Sequence, residues 1–409
     1  MTSAARWRDL AARAEFRALF VAVVISIAGD QFARVALSVL VYDRTRSAGW
    51  TAVTYALTYI PDLVFGPLLG GLADRFPRRR VLVTADLGRA VLVALMALPG
   101  LPLPAVIALL VVVQALGAPA NAARAATLAA VVPGDEYVLG KAANDMVVQL
   151  SQVLGFAGGG VLVAGVGPST ALLVDAATFA VSAVLLGIGL RARPAPVREE
   201  AETGWWPDLV AGCRLVAATP RLRSLVGLAC VAGCYVTVEG AAIPYAAEVG
   251  GGTRSAGLLL AASPAGAVAG MWLLTRVSPE RRLRALPVLA VGACVPLLAC
   301  WWSPGVVLAA ILWALSGVAS SYHLPASAAF VQAVPDHRRG QAFGVASTAL
   351  KASQGAGLLA VGVLGDATRP SAAVAILAAV GVLAAMLAGT AWRRAQLQAA
   401  ADTGPRQHR

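Results

Sequence analysis

Apolar runs of about twenty residues recur along the whole chain, and no other feature restricts its fold so strongly. They span roughly 16–42, 50–72, 81–99, 104–131, 138–165, 169–190, 223–247, 255–275, 285–301, 304–333, 340–364 and 371–392. A run of that length suits a helix crossing the ~30 Å hydrocarbon core of a bilayer. Backbone groups in lipid must be satisfied internally, which leaves helices or closed barrels. The short alternating strands of a barrel are absent from this pattern. Composition agrees: 58% of residues are hydrophobic and 13% charged, against about 25% charged in a soluble domain. The sequence therefore predicts an all-α membrane protein with twelve transmembrane helices. The first run exceeds the apolar core of a signal peptide, so it is read as a span.

The net charge is +12. In a soluble chain this would suggest nucleic acid, but here the arginines fall in short gaps between runs. Arg6, Arg8, Arg13 and Arg17 precede the first segment. Alternate gaps hold Arg75 to Arg80, Lys141, the stretch from Arg191 to Arg223, Arg276 to Arg284, and Arg338 with Arg339; Arg393, Arg394, Arg406 and Arg409 follow the last segment. The opposite gaps carry only Arg44, Arg46, Arg254 and Arg369. Positive charge accumulates on the cytoplasmic side, so both termini are expected there. Lys141 and Lys351 are the only lysines and alanine is abundant, a bias suggesting a GC-rich bacterial genome and hence the bacterial plasma membrane.

Six segments lie on each side of a polar stretch at 191–222, and the halves resemble each other. "AAVVPGDEYVLGKAAN" follows segment 4 and "VQAVPDHRRGQAFGVAS" follows segment 10; Pro133 matches Pro335, and Gly140 matches Gly340. Two six-helix repeats in parallel orientation fit a transporter whose site lies between the halves. The division is 1–190 and 223–392 for the bundles, 191–222 for a cytoplasmic linker and 393–409 for a cytoplasmic tail. Within the linker, Trp206, Leu209, Val210, Cys213 and Val216 share a helical face, predicting an interfacial helix anchored by Trp205 and Trp206.

The stretch "GPLLGGLADRFPRRRVLVTADLGRA" (66–90) resembles the signature loop of the major facilitator superfamily, G-x-x-x-D-R-x-G-R-R. Gly70, Asp74, Arg75, Arg78 and Arg79 match, and Pro77 replaces the second glycine. The "GFAGGG" run resembles the helix 5 antiporter motif G-P-x-x-G-G through Gly155, Gly159 and Gly160, with Phe156 in place of proline. "PANAARAATLAAVVP" and "VDAATFAVSA" look like the branch that includes drug and siderophore exporters. The resemblance covers nearly the whole chain. It implies alternating access by two rocking bundles around a central cavity, lined by helices 1, 4, 7 and 10.

An ionisable residue at the bilayer centre costs at least about 2.5 kcal/mol, so each needs a partner or a purpose. Asp30 lies near the middle of segment 1 with Arg34 at i+4. It is the first candidate for the proton carrier, against a permanently ionised pair with Arg34. Asp62 and Lys351 lie near the middles of segments 2 and 11, which adjoin in the superfamily fold. They predict a contact that changes during transport, against separate exposure to water. Glu239 suits a cationic substrate, a second proton or a solvated cavity wall. Asp86, Arg89, Arg124 and Asp145 lie near the cytoplasmic ends of segments 3 to 5. With Asp74 and the loop arginines they form either a conformational latch or static glue. Gln31, Tyr55, Tyr59, Tyr235, His323 and Gln354 are candidate substrate contacts, although His323 also suits plain helix packing. Glycines at 155 and 158–160 allow close packing or a bend.

Rival classes find no residues to support them. Both lysines precede alanine, so there is no P-loop, and neither HExxH nor GxSxG occurs. No filter-like loop suggests a channel. Cys230 and Cys234 share a helix face without a nearby histidine and read as packing residues rather than a metal site. The expectation is a non-enzymatic, monomeric secondary transporter that uses the proton gradient and no cofactor. It would export drugs, antibiotics or a siderophore-like metabolite. Uptake of a small nutrient, and a sensor of the same fold without flux, remain open on sequence alone.

Overall fold

The computed structural model describes residues 13–69, 72–131, 136–191, 193, 205–335 and 338–402. Among these the regular structure is entirely helical. In chain order the helices are α1 (Ala14–Thr45), α2 (Ala48–Ala56), α3 (Ile60–Leu69), α4 (Leu72–Arg75), α5 (Arg78–Met96), α6 (Leu103–Val131), α7 (Glu136–Gly189), α8 (Trp205–Ala218) and α9 (Pro220–Cys230). They continue with α10 (Ala232–Tyr235), α11 (Thr237–Glu248), α12 (Thr253–Thr275), α13 (Pro279–Cys294), a 3-10 turn Val295–Trp302, α14 (Val306–Ser320), α15 (His323–Ala333), α16 (Arg339–Ala367) and α17 (Pro370–Asp402).

Eight stretches among the described residues are long and apolar enough to cross a membrane, so the chain is a multi-pass membrane protein. This differs from twelve for physical reasons. Segments 5 and 6 run together as α7, broken only at Gly167, whose φ of 83° is a left-handed conformation that suits glycine. Pro168 follows, so the break falls in the gap read from sequence. Segment 2 is divided between α2 and α3, segment 3 carries Arg78 to Arg80, Asp86 and Arg89, and segment 11 carries Lys351. The lipid-facing surface is apolar: Ile188 and Leu387 are 83% and 73% exposed. Trp301 and Trp302 are exposed at a helix end, as an interfacial aromatic belt requires.

Helices of segments 2 and 7 are interrupted where polar groups turn inward. Pro61 has no N–H for the Leu57 carbonyl. The chain tightens there, with Thr58 N–H donating to Tyr55 O at 3.0 Å and Tyr59 N–H to Ala56 O at 2.9 Å. The helices of segment 7 are interrupted at Val231 and Val236, just before Glu239. There Gly233 backs onto the Ser353 backbone, so closely that a Cβ would collide with it. Helix α8 covers Trp205–Ala218, within the stretch read as the linker. Its buried Val216 lies on the predicted face, while Cys213 is exposed. Gly212 presses on Gln341, where a Cβ would lie 2.8 Å from the carbonyl oxygen, so α8 is docked on α16. The tail begins as a continuation of α17 through Asp402.

Candidate functional site

Three groups of polar residues line the interior of the N-terminal half, one of them shared with the C-terminal half. In the first, Arg89 of α5 reaches Asp30 of α1, with Nη2 donating to Oδ1 at 2.9 Å. The guanidinium also stacks over the Phe179 ring, 4.0 Å from its centroid. The sequence expectation offered Arg34 as the ionic partner of Asp30 and placed Arg89 in the cytoplasmic latch. The structure forms the ion pair with Arg89, whose long side chain reaches Asp30 from α5, a helix packed on α6 and α7 rather than on α1. Arg34 instead lies 5.8 Å from the ring centroids of both Tyr55 and Tyr59, within electrostatic reach of Asp30 and Glu239.

The second group joins the two halves of the chain. Tyr59 donates its hydroxyl to Glu239 Oε2 at 2.9 Å. The turn caused by Pro61 and the helix break at Val236 supply these two side chains. Arg34, Tyr59 and Glu239 therefore form a cation–aromatic–carboxylate chain across the interface.

The third group contains Asp86, which is fully buried and accepts from Ser182 Oγ at 2.6 Å. Its strongest electrostatic neighbour is Arg124, followed by Arg89. Near the signature loop, Arg78 Nη1 donates to Ala126 O at 2.9 Å, tying α5 to the end of α6. Arg75 is exposed and Arg79 half-buried. Gly70 and the side chains of Asp62, Asp74 and Asp145 lie outside the described residues. The expected Asp62–Lys351 contact therefore lies outside them too.

The helix 5 glycines divide between two tasks. A Cβ on Gly155 would lie 2.6 Å from Gln31 Cβ, and one on Gly159 would lie 3.3 Å from Phe32 and Val35, so both seat α7 against α1. Gln31 is buried in that contact. Gly160 instead meets Gly257 of α12, where its Cβ would stand 2.7 Å from the partner Cα. The helix runs straight through this motif and breaks later, at Gly167. At the same end, Asp366 accepts from Ser47 Oγ and the Ala48 N–H, both at 2.7 Å. A carboxylate of the C-terminal half thus caps α2, where helix N–H groups lack partners. Sequence reasoning missed Asp366, whose position beside a gap resembles that of any solvated acid.

The C-terminal half has a different interior. Tyr235 and His323 share a 2.6 Å hydrogen bond. His323 borders a cavity of about 140 Å³, lined mainly by Leu225, Phe330, Phe343, Ala346 and Leu350. Gln354 is half-buried on α16. No group of three or more metal-ligating side chains occurs among the described residues.

The sequence profile described as Major Facilitator Superfamily matches residues 19–309. The chain belongs to the major facilitator superfamily. It is a membrane transporter, not an enzyme. It is 29% identical over 357 residues to "Multidrug efflux pump Tap" of Mycolicibacterium fortuitum, covering 83% of this chain and 86% of that protein. It is 28% identical over 368 residues to the pump of that name from Mycobacterium tuberculosis, covering 85% and 86%. Solved structures share the fold at low identity. The nucleoside transporter NupG aligns with a TM-score of 0.72 and 13% identity, over 92% of this chain and 98% of that one. An inward-facing bacterial homologue of the human lysosomal transporter Spinster aligns at 0.67 and 16%, over 94% and 96%.

Proposed function

We propose that this chain is a proton-coupled exporter of lipophilic drugs, antibiotics or a siderophore-like metabolite. It would work by alternating access in the bacterial plasma membrane, with twelve spans in two parallel six-helix repeats and both termini cytoplasmic. The bundles are residues 1–190 and 223–392, joined by the 191–222 linker and followed by the tail at 393–409. The monomer is the working unit, and the proton gradient supplies the energy without a cofactor. The observation that carries this reading is the Asp30–Arg89 ion pair inside the membrane, together with the Tyr59–Glu239 bond between halves. Relatives named as multidrug efflux pumps support the direction of transport.

A proton arriving at Asp30 neutralises the carboxylate and releases Arg89. The guanidinium is then able to change partners beside the Arg34–Tyr59–Glu239 chain, which favours the rearrangement of that chain. The cross-half contacts at Asp366 and at Gly160–Gly257 lie at the end assigned outside by the arginine distribution. Their opening would expose the interior outward. The apolar cavity beside His323 suits a greasy cargo, and Glu239 suits a cationic group on it.

The test is accumulation of a panel of dyes and antibiotics in an efflux-deficient bacterium expressing the full chain. The wild type should lower accumulation of some compounds, and a protonophore or Asp30→Asn should abolish that. Lowered accumulation that persists in Asp30→Asn removes Asp30 as the carrier. An unchanged panel despite good membrane expression overturns broad drug export. Uptake of a small nutrient, or a sensor that binds without flux, would then replace it.

A further inference from the structure

Asp175 of α7 is an acid that the mechanism above does not use. It is 1% exposed. Its Oδ1 accepts from Thr178 Oγ1 at 3.2 Å, within its own helix, and its Oδ2 has no hydrogen-bond partner. No cation among the described residues is within ion-pair distance of it. Asp175 lies against the backbone of α1: a Cβ on Gly29 would collide with Asp175 Oδ1 and Thr178 Oγ1. The glycine before Asp30 therefore makes room for a second carboxyl beside the first. Both acids line one pocket of about 20 Å³, together with Arg34, Tyr55, Thr54 and Gln114. That volume fits about one water molecule.

The charges around this pocket do not balance. Among the described residues, Asp30, Asp86, Asp175 and Glu239 face three arginines, Arg34, Arg89 and Arg124. Arginine keeps its proton in proteins. With every acid ionised, this buried cluster would carry one surplus negative charge in a medium where isolated charge is costly. Asp30 has Arg89, Asp86 has Ser182 and Arg124, and Glu239 has Tyr59 and Arg34. Asp175 is the acid left with only a hydroxyl.

We propose that Asp175 is a proton-binding site, holding the proton while Asp30 is paired with Arg89. This rests on the reading of the chain as proton-coupled, and it supplies the group that passes the proton to Asp30. In the transfer, the O–H bond on Asp175 breaks and one forms on Asp30, through the single water the pocket admits. No net charge moves into or out of the cluster. Arg89 loses its partner on α1 and takes the newly ionised Asp175 on α7 as counter-ion, the exchange of partners that a two-state helix contact requires. Asp30 and Arg34 on α1, Tyr55 on α2 and Gln114 on α6 line the same pocket as Asp175; Arg89 on α5 is within electrostatic reach of it, and Asp86 and Arg124 are in turn neighbours of Arg89. A metal cation would need a shell of several oxygens beside two guanidinium groups, whereas a proton needs one.

The experiment is infrared spectroscopy of the full chain in lipid vesicles at neutral pH, in water and in deuterated water. The wild type should show the carbonyl band of a buried protonated carboxyl. Asp175→Asn should lose that band, and Asp86→Asn should keep it. If Asp175→Asn does not fold, Asp175→Glu serves instead and should move the band rather than remove it. A wild type without the band, or a band unmoved by either change at Asp175, overturns the proposal. So does a band that sodium chloride removes at fixed pH, which would make the pocket a cation site. The result is separable from the transport reading. If Asp30→Asn is silent in export while the Asp175 band is present, coupling through Asp30 fails and the protonated acid stands.

Discussion

The two halves of this transporter bury polar groups by different chemistry. In the N-terminal half, Asp30, Asp86, Asp175, Arg89 and Arg124 form an ionisable interior held by side chains from α1, α5, α6 and α7. In the C-terminal half, the buried polar side chains are mostly neutral and bond to backbone carbonyls. Tyr322 donates to Leu228 O at 2.7 Å, Tyr245 to Pro304 O at 3.0 Å and Trp392 to Leu283 O at 3.2 Å. A neutral donor on a carbonyl keeps its partner over the whole physiological pH range. Charged pairs respond to a single proton. The proposed division of labour follows: the N-terminal half reads the proton, and the C-terminal half holds an apolar cavity for cargo.

The sharpest way to break this comparison is at Arg89. Arg89→Gln removes the buried guanidinium of an ion pair and leaves the partly exposed Asp30 carboxylate without its cation. Breaking a fully buried pair costs about 3–5 kcal/mol, and this one should cost less. We expect export to be lost and thermal unfolding in detergent to move to clearly lower temperature. Arg89→Lys should recover only part of the stability, because the planar guanidinium also stacks on Phe179. If Arg89→Gln unfolds like the wild type and still exports, the charged interior is incidental and the contrast between halves collapses.

How much of this was legible in sequence follows from the same contrast. The break between segments 5 and 6 was legible because Gly167 and Pro168 each act locally, one through its φ and the other through its missing N–H. The superfamily loop was legible because its charges are adjacent in sequence. The partner of Asp30 was not, because i+4 spacing points to Arg34 while the contact comes from a residue fifty-nine positions away. Asp175 carries the same sequence signal as Asp30 and Asp86, an acid within an apolar run, but its neighbour Asp30 lies far away in sequence and becomes visible only in the fold. Eight long apolar spans are visible among the described residues rather than twelve, since charge and proline interrupt the segments nearest the polar interior. Function and a regular helix pull against each other there.

The contact between the halves gives a smaller, sharper effect. Tyr59→Phe keeps the ring beside Arg34 and removes the hydrogen bond to Glu239. A net bond is worth about 1 kcal/mol, and leaving a buried acceptor unpaired costs about 1–3 kcal/mol. Expression and folding should survive, while the export rate falls for cationic substrates more than for neutral ones. Measuring initial efflux rates for one cationic and one uncharged dye checks this. Equal loss for both would make the bond purely structural, and no loss would remove Glu239 from the cargo path.

The smallest effect is expected inside the C-terminal half, and its smallness is the point. Tyr235→Phe deletes the 2.6 Å bond to His323 while keeping the ring that packs edge-on to the histidine. His323 then loses one partner but still stacks on Tyr322, with ring centroids 4.5 Å apart. The stability change should be on the order of 1 kcal/mol. If the division of labour is correct, the dependence of export on the proton gradient should match the wild type. What should change is the order of preference among cargoes, because His323 borders the apolar cavity. The measurement is efflux of a dye panel with the pH gradient clamped at several values. A variant that keeps its cargo order but loses its response to the gradient would place proton reading in the C-terminal half, and Tyr235 with His323 would then belong to the coupling machinery rather than to the cavity wall.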